Sequence, residues 1–118
     1  MIVYDVTNLE SYQNIQKWVT EVRSLTEPET ELILIGNKSD LCETEPNKRS
    51  LNKEDAERFA CDNKMLFMES SAEACNNVRE SFEVLLQKIY SESKDNKDNG
   101  ISLVKPFYNK PNQEAKCC

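Results

Sequence analysis

Residues 32–40 have the sequence Leu32-Ile33-Leu34-Ile35-Gly36-Asn37-Lys38-Ser39-Asp40. The first four residues form a continuous apolar run, which is typical of a parallel strand covered on both faces. Gly36 is expected to end this strand, and residues 37–41 are expected to form a polar loop at its carboxyl end. Residues 42–49 lack hydrophobic periodicity and contain one proline, so they are expected to form a surface loop.

Two further apolar runs have the same character, and each is followed by polar residues that favour a turn. The first is Met1-Ile2-Val3-Tyr4, followed by residues 5–8, and the second is Met65-Leu66-Phe67-Met68, followed by residues 69–73. Together with residues 32–35, these runs predict three short strands that belong to one parallel sheet.

Apolar residues recur at intervals of three and four after each run, which predicts three amphipathic helices. The first helix is expected to be capped by Asn8 or Ser11 and to end at Pro28. The second is expected to begin at Asn52, whose spacing to Asp55 resembles a capping box. The apolar faces consist of Tyr12, Ile15, Trp18, Val19, Val22 and Leu25; of Ala56, Phe59 and Ala60; and of Val78, Phe82, Leu85, Leu86 and Ile89.

The predicted order is β-α-β-α-β-α, which indicates an α/β fold with parallel strands and helices on the faces of the sheet. Residues 1–90 are expected to form this one domain. Residues 91–118 have few apolar side chains and carry five basic and four acidic groups, so they are expected to form a nearly neutral, flexible tail.

Composition excludes several classes of function. The 118 residues contain no histidine, which rules out an imidazole base or a histidine metal ligand. The formal net charge of −6 argues against nucleic acid as a partner, because nucleic-acid-binding domains carry clustered basic surfaces.

The loop after the second strand carries groups suited to a purine base. The Asp40 carboxylate can accept two parallel N–H bonds from the N1/N2 edge of guanine, which adenine does not offer. The methylene stem of Lys38 could lie along the ring, and Asn37 could tie the loop to its neighbours. The alternative is a turn without a ligand, since these residue types commonly form turns.

The loop after the third strand supplies a second set of candidates. The carboxyl ends of neighbouring parallel strands are where ligands bind in open α/β sheets. Ala72 is small enough to let the backbone approach a ligand closely, and its amide could donate to a carbonyl oxygen of the same base. Two complementary loops therefore favour guanine recognition over two unrelated turns.

Several features occur together in chain order: Val3-Tyr4-Asp5-Val6-Thr7, Trp18, Gly36 to Leu41, Glu69-Ser70-Ser71-Ala72 and the terminal Cys117-Cys118. With these features the chain resembles the C-terminal half of a Rab-type small GTPase of the Ras superfamily. The resemblance implies a partial P-loop-GTPase-like three-layer sandwich and a role in vesicle traffic. It also implies GTP or GDP as ligand, held by Asn37, Lys38 and Asp40, with Ser71 and Ala72 closing the base pocket.

The chain departs from the family pattern at the base loop and at the phosphate site. Glu73 stands where the family usually has lysine, which puts an acidic group beside the base. The only glycines, Gly36 and Gly100, are not part of Gly-x-x-x-x-Gly-Lys-Ser/Thr, the pattern of a phosphate-binding P-loop, and no DxxG segment occurs. The magnesium ligands of the full-length family members are likewise missing. We therefore expect no GTP hydrolysis by this chain alone, and a start at Met1 directly on a strand suggests an internal methionine of a longer gene product.

The terminal cysteines predict a lipid anchor. Ala115-Lys116-Cys117-Cys118 is not a C-a-a-X sequence, but adjacent terminal cysteines resemble Rab prenylation acceptors. Two lipid chains give stable membrane attachment, so the resemblance implies the cytoplasmic face of intracellular membranes, or the cytosol if the chain is unprenylated. It also implies Rab escort and prenylation machinery as partners. The alternative is a pair of unmodified thiols.

Two other functions remain open from the sequence. The chain could be a non-catalytic, prenylatable binding protein that acts through Rab partners without cycling GTP. It could also be an unrelated α/β module in which the turn motifs are accidental.

Overall fold

The computed structural model describes residues 1–95, with the side chains of residues 1–93. It contains a sheet of three strands, β1 (Ile2–Asp5), β2 (Ile33–Asn37) and β3 (Leu66–Glu69). The strands are adjacent in the order β1-β2-β3, and both pairs are parallel. The predicted parallel α/β fold is therefore confirmed. Residues 96–118 lie outside the described part, and so do the predictions for Cys117, Cys118 and most of the tail.

Five α-helices and one short 3₁₀ helix accompany the strands within residues 1–95. The α-helices are α1 (Leu9–Gln13), α2 (Ile15–Leu25), α3 (Ser39–Thr44), α4 (Lys53–Asp62) and α5 (Val78–Asp95), and the 3₁₀ helix spans Pro46–Lys48. In this part of the chain no helix is both long and apolar enough to cross a bilayer.

The sheet lies between two layers of helices. Leu34 belongs to a buried cluster with residues of α2 and α4, and side chains alternate between the faces of a strand. Ile33 and Ile35 therefore point to the opposite face, where α5 lies against β2, and both are buried. The buried cluster that contains Leu34 consists of Ile2, Tyr4, Val6, Ile15, Val19, Leu32, Leu34, Cys42, Ala56, Ala60 and Met65.

The first predicted helix is divided into two. Asn8 caps α1 as expected, because its Oδ1 accepts a hydrogen bond from the Ser11 amide at 3.1 Å. Asn14 then separates α1 from α2, and α2 ends at Leu25, three residues before the proline that was expected to end it. Of the predicted apolar face, Ile15 and Val19 are buried, whereas Trp18 and Leu25 are 52% and 79% exposed. The apolar spacing also could not locate the break at Asn14.

Two predicted loops are partly helical, and one predicted cap is not formed. Residues 39–44 form α3 and residues 46–48 form the 3₁₀ helix, where the sequence predicted irregular structure. Asn52 precedes α4 but makes no side-chain capping bond, so the capping box is wrong. At the other end of the chain, α5 continues through residues 91–95, which were expected to be unfolded.

Gly36 lies inside β2 rather than ending it. A Cβ atom at this position would come within 2.9 Å of both the Tyr4 hydroxyl and Val6 Cγ1. Tyr4 is the register partner of Gly36 on β1 and is 3% exposed. The glycine is therefore required by the close approach of the Tyr4 ring, and not by a turn.

Within the described residues, one edge and one helix face have little cover. β1 pairs only with β2, and Val3 on this strand is 55% exposed. Phe82 and Leu86 on α5 are 54% and 63% exposed. Exposed apolar side chains on an open strand edge or a helix face favour association between copies of a chain, so both surfaces are expected to lower solubility.

We expect Gly36→Ala to lower the free energy of unfolding by about 1–3 kcal/mol, because the added methyl group overpacks the contact with Tyr4 and Val6. Urea denaturation followed by circular dichroism measures the change. Gln16→Ala, at an exposed position of α2, is the matched control and should stay within about 0.5 kcal/mol of the wild type. Equal stability of the two variants would contradict the close packing at Gly36.

Candidate functional site

The two turns predicted to bind a base lie side by side. Gly36 on β2 is the register partner of Glu69 on β3, so both strands end at the same edge of the sheet. The Ser70 amide donates to the Gly36 carbonyl at 2.9 Å, and the Ser39 amide donates to the Ser70 carbonyl at 3.1 Å. These backbone bonds hold the turn at residues 37–40 (the first turn) against the loop at residues 70–77 (the second loop).

Asn37 joins the first turn to the second loop through its side chain. Its Oδ1 accepts a hydrogen bond from the Ala72 amide at 3.2 Å, which agrees with the expectation that Asn37 ties the loop to a neighbour. The Ala72 amide, which is also the expected donor to a base carbonyl, therefore has a protein partner in this structure. A base could take this donor only by sharing or replacing the bond to Asn37.

Lys38 is held in a left-handed conformation, with φ 66° and ψ 33°. This region is unfavourable for a residue with a Cβ atom. The Lys38 ammonium lies 2.7 Å from Asp5 Oδ2 at the end of β1, and this hydrogen bond raises the pKa of Lys38. The Lys38 side chain is 53% exposed, so the contact directs the side chain but adds little to stability.

Asp5 is a residue of this site that the sequence reasoning missed. Burial tends to raise its pKa, but hydrogen bonds from Lys38 and from the amide and hydroxyl of Thr7 outweigh that effect and lower it. Asp5 is the register partner of Asn37, so the carboxyl ends of all three strands contribute to one edge. The rule that ligands gather at this edge could have identified Asp5.

Asp40 has a carboxylate available for a ligand. It lies in the first turn of α3 and is half-buried. Among the described residues, no group donates a hydrogen bond to this carboxylate and no cation forms an ion pair with it, although the Lys38 ammonium interacts with it electrostatically. An ionised carboxylate is an acceptor only, so Asp40 retains its full capacity to accept N–H groups.

Ser71 has a structural role within the second loop. It is 1% exposed, and its backbone exchanges two hydrogen bonds of 3.0 Å with Asn76. Its hydroxyl also accepts a bond from the Ala74 amide at 3.0 Å. These bonds shape the loop that presents Ala72, which is exposed, whereas the Ser71 hydroxyl is already engaged. Glu73 is exposed in the same loop.

Within residues 1–95, no three acidic or cysteine side chains come together as a group that could hold a metal ion. The resemblance implies magnesium for full-length members of the family, and the expectation that its ligands are missing from this chain stays a prediction.

A cavity of about 400 Å³ lies at the opposite edge of the sheet, at the amino ends of β2 and β3. Its polar groups are largely engaged within the protein: Arg23 donates to the carbonyls of Thr30 at 2.7 Å and Asn63 at 3.3 Å. Burial and the neighbouring Glu92 carboxyl raise the pKa of Glu31. This cavity is remote from both turns and contributes nothing to a base site there.

Comparison with known proteins identifies the family. The model of the Ras family matches residues 1–91. The Ras-related protein Rab-4 of Dictyostelium discoideum is 37% identical over 123 aligned residues, which include 98% of this chain and 58% of the relative. The chain therefore spans somewhat more than half the length of that relative. As the resemblance predicted, the chain belongs to the Ras family.

Proposed function

We propose that the first turn and the second loop bind the guanine base of GDP or GTP. The observation that carries this proposal is the Asp40 carboxylate, which has no hydrogen-bond or ion-pair partner among the described residues and lies in the turn that is hydrogen-bonded to the Ala72 loop. Membership in the Ras family supports guanine nucleotide as the ligand class. Asn37, Lys38, Asp40, Ser71 and Ala72 are the proposed site residues.

Each of the two segments has a separate task in this proposal. Asp40 accepts the N1 and N2 hydrogens of guanine, so it selects against adenine, which has no such donor pair. The Ala72 amide donates to the base carbonyl after its bond to Asn37 is shared or replaced. Ser71 acts indirectly, because its backbone and hydroxyl hold the loop in shape.

The phosphate groups have no comparable site in this sequence. Phosphoryl transfer depends on positioning and charge stabilisation by a P-loop, a metal ion and switch residues. The sequence contains no P-loop pattern, and its two glycines are not arranged to form one. We therefore propose weak binding through the base, without GTP hydrolysis by this chain alone.

The similarity to a Rab protein supports a role at membranes. We propose that Cys117 and Cys118 are prenylated by Rab escort and prenylation machinery and anchor the protein to the cytoplasmic face of intracellular membranes. Unprenylated protein would remain in the cytosol. Vesicle traffic is the process in which such an anchored family member would act.

Asp40→Ala should weaken the binding of a fluorescent GDP analogue by about tenfold or more, because it removes an acceptor of two hydrogen bonds to the base. Fluorescence titration measures the change, and competition with GDP and ADP measures base choice. Wild-type protein should prefer GDP, and the variant should lose that preference. Incubated with magnesium and GTP, the wild type should release no more phosphate than buffer.

Asp62→Ala is the matched control, because it removes the same charge from an exposed position of α4, near the opposite edge of the sheet. It should bind the analogue like the wild type. Equal affinity of wild type and Asp40→Ala, or equal competition by ADP, would contradict guanine recognition by this turn.

Expression in a eukaryotic host should give protein whose intact mass exceeds the sequence mass by two geranylgeranyl groups. A double Cys117→Ser, Cys118→Ser variant should have the unmodified mass and should not sediment with membranes. An unshifted mass for the wild-type chain would exclude the lipid anchor.

A further inference from the structure

Arg49 and Glu69 form a bidentate ion pair next to the second loop, at the end of β3. Arg49 Nη1 lies 2.6 Å from Glu69 Oε1, and Nη2 lies 3.0 Å from Oε2. The side chains are only 25% and 13% exposed, so solvent screens this pair less than it screens the exposed pairs of the helices. The two parallel bonds fix the orientation of both groups as well as their distance.

Glu69 is the last residue of β3 and directly precedes the second loop. Its side chain binds Arg49, while its backbone carbonyl accepts a hydrogen bond of 2.9 Å from Asn77 Nδ2. Asn77 lies at the far end of that loop in a left-handed conformation, with φ 56°. Glu69 therefore contacts both the segment before α4 and the last residue of the loop that presents Ala72.

Arg49 connects to the first turn by a different route. The next residue, Ser50, donates from its amide and its hydroxyl to the Val6 carbonyl, at 3.0 and 3.1 Å. The Val6 amide in turn donates to the Asn37 carbonyl at 3.1 Å. Residues 49 and 50 thus bond to the end of β3 on one side and, through Val6, to the residue that begins the first turn.

The ion pair closes a ring of contacts. Along the chain, the first turn continues through α3 and the 3₁₀ helix to Arg49. Across space, Arg49 pairs with Glu69. The residue after Glu69 is Ser70, whose carbonyl accepts a hydrogen bond from the Ser39 amide of the first turn. The Arg49–Glu69 ion pair is therefore the side-chain contact that completes this ring.

We propose that Arg49 is a positioning residue, whose bidentate contact with Glu69 holds the second loop against the first turn in the arrangement that presents Ala72 and Asp40 together. The expected effect of this ion pair on base binding rests on the proposed function, whereas its expected effect on the conformation of the second loop does not. Arg49 and Glu69 act through the loop, and neither is assigned a contact with the base.

Amide hydrogen exchange measured by NMR on the nucleotide-free chain tests the positional role. Glu69→Gln keeps the shape of the side chain but removes its charge, and Arg49→Lys keeps the charge but cannot form two parallel bonds. Exchange at the Ala72 and Asn76 amides should accelerate about tenfold in Glu69→Gln, because the Ala72 amide bonds the second loop to Asn37 and the Asn76 amide bonds to Ser71 within that loop. Arg49→Lys should cause a smaller acceleration in the same direction.

The internal reference is the Leu34 and Ile35 amides of β2, which should exchange as in the wild type. The control variants are Arg79→Lys and Glu83→Gln, because that pair also has a contact of 2.6 Å but lies on the exposed surface of α5. Neither control should change exchange at Ala72 or Asn76. Because Arg49→Lys is the milder substitution, it decides the question if Glu69→Gln fails to fold.

Two results would overturn this inference. One is unchanged exchange at Ala72 and Asn76 in both variants. The other is equal acceleration at Leu34 and Ile35, which would show that the ion pair stabilises the whole domain without positioning the loop.

Titration with the fluorescent GDP analogue distinguishes a failure of the positioning role from a failure of the proposed function. Affinity should fall in the order wild type, Arg49→Lys, Glu69→Gln, and unchanged affinity with accelerated exchange would also overturn the positioning role. A wild-type chain that binds no nucleotide would refute the proposed function, while hydrogen exchange would still decide whether Arg49 positions the loop.

Discussion

The parallel pairing of β2 with β3 is the constraint on which the candidate site depends. Its register places Gly36 opposite Glu69, so two segments that are more than thirty residues apart in the chain leave the sheet together. The bonds between Ser39 and Ser70 and between Asn37 and Ala72 follow from that register. A shift of one residue would reverse the faces of the strand and separate these partners.

The sheet positions the site through buried apolar contacts and through polar contacts at its carboxyl edge. Tyr4 occupies the space that Gly36 leaves open, so its ring packs over the neighbouring strand. Asp5 then reaches Lys38, and its lowered pKa reflects the hydrogen bonds that it accepts there. All three strands therefore supply groups to one edge, although the residues with the clearest base-binding chemistry follow only β2 and β3.

The sequence predicted three parallel strands and the proximity of the two turns because both follow from hydrophobic runs and general rules for parallel sheets. It did not predict that Gly36 lies within β2, since the reason is a tertiary contact with Tyr4. The break at Asn14 and the short helix α3 were missed because local periodicity does not define helix ends. The hydrogen bond from the Ala72 amide to Asn37 Oδ1 was not predicted, because it joins two residues that are far apart in the chain.

The most direct test is an NMR titration of isotope-labelled protein with guanosine and, separately, with adenosine. Nucleosides lack phosphates, so the measurement isolates recognition of the base. If the two turns bind guanine jointly, guanosine will shift the resonances of Asp40 and Ala72 while those of Asn63 and Lys64, at the other edge, stay unchanged, and adenosine will shift none of them. Equal shifts with both nucleosides, or shifts confined to only one of the two turns, would contradict a joint guanine site.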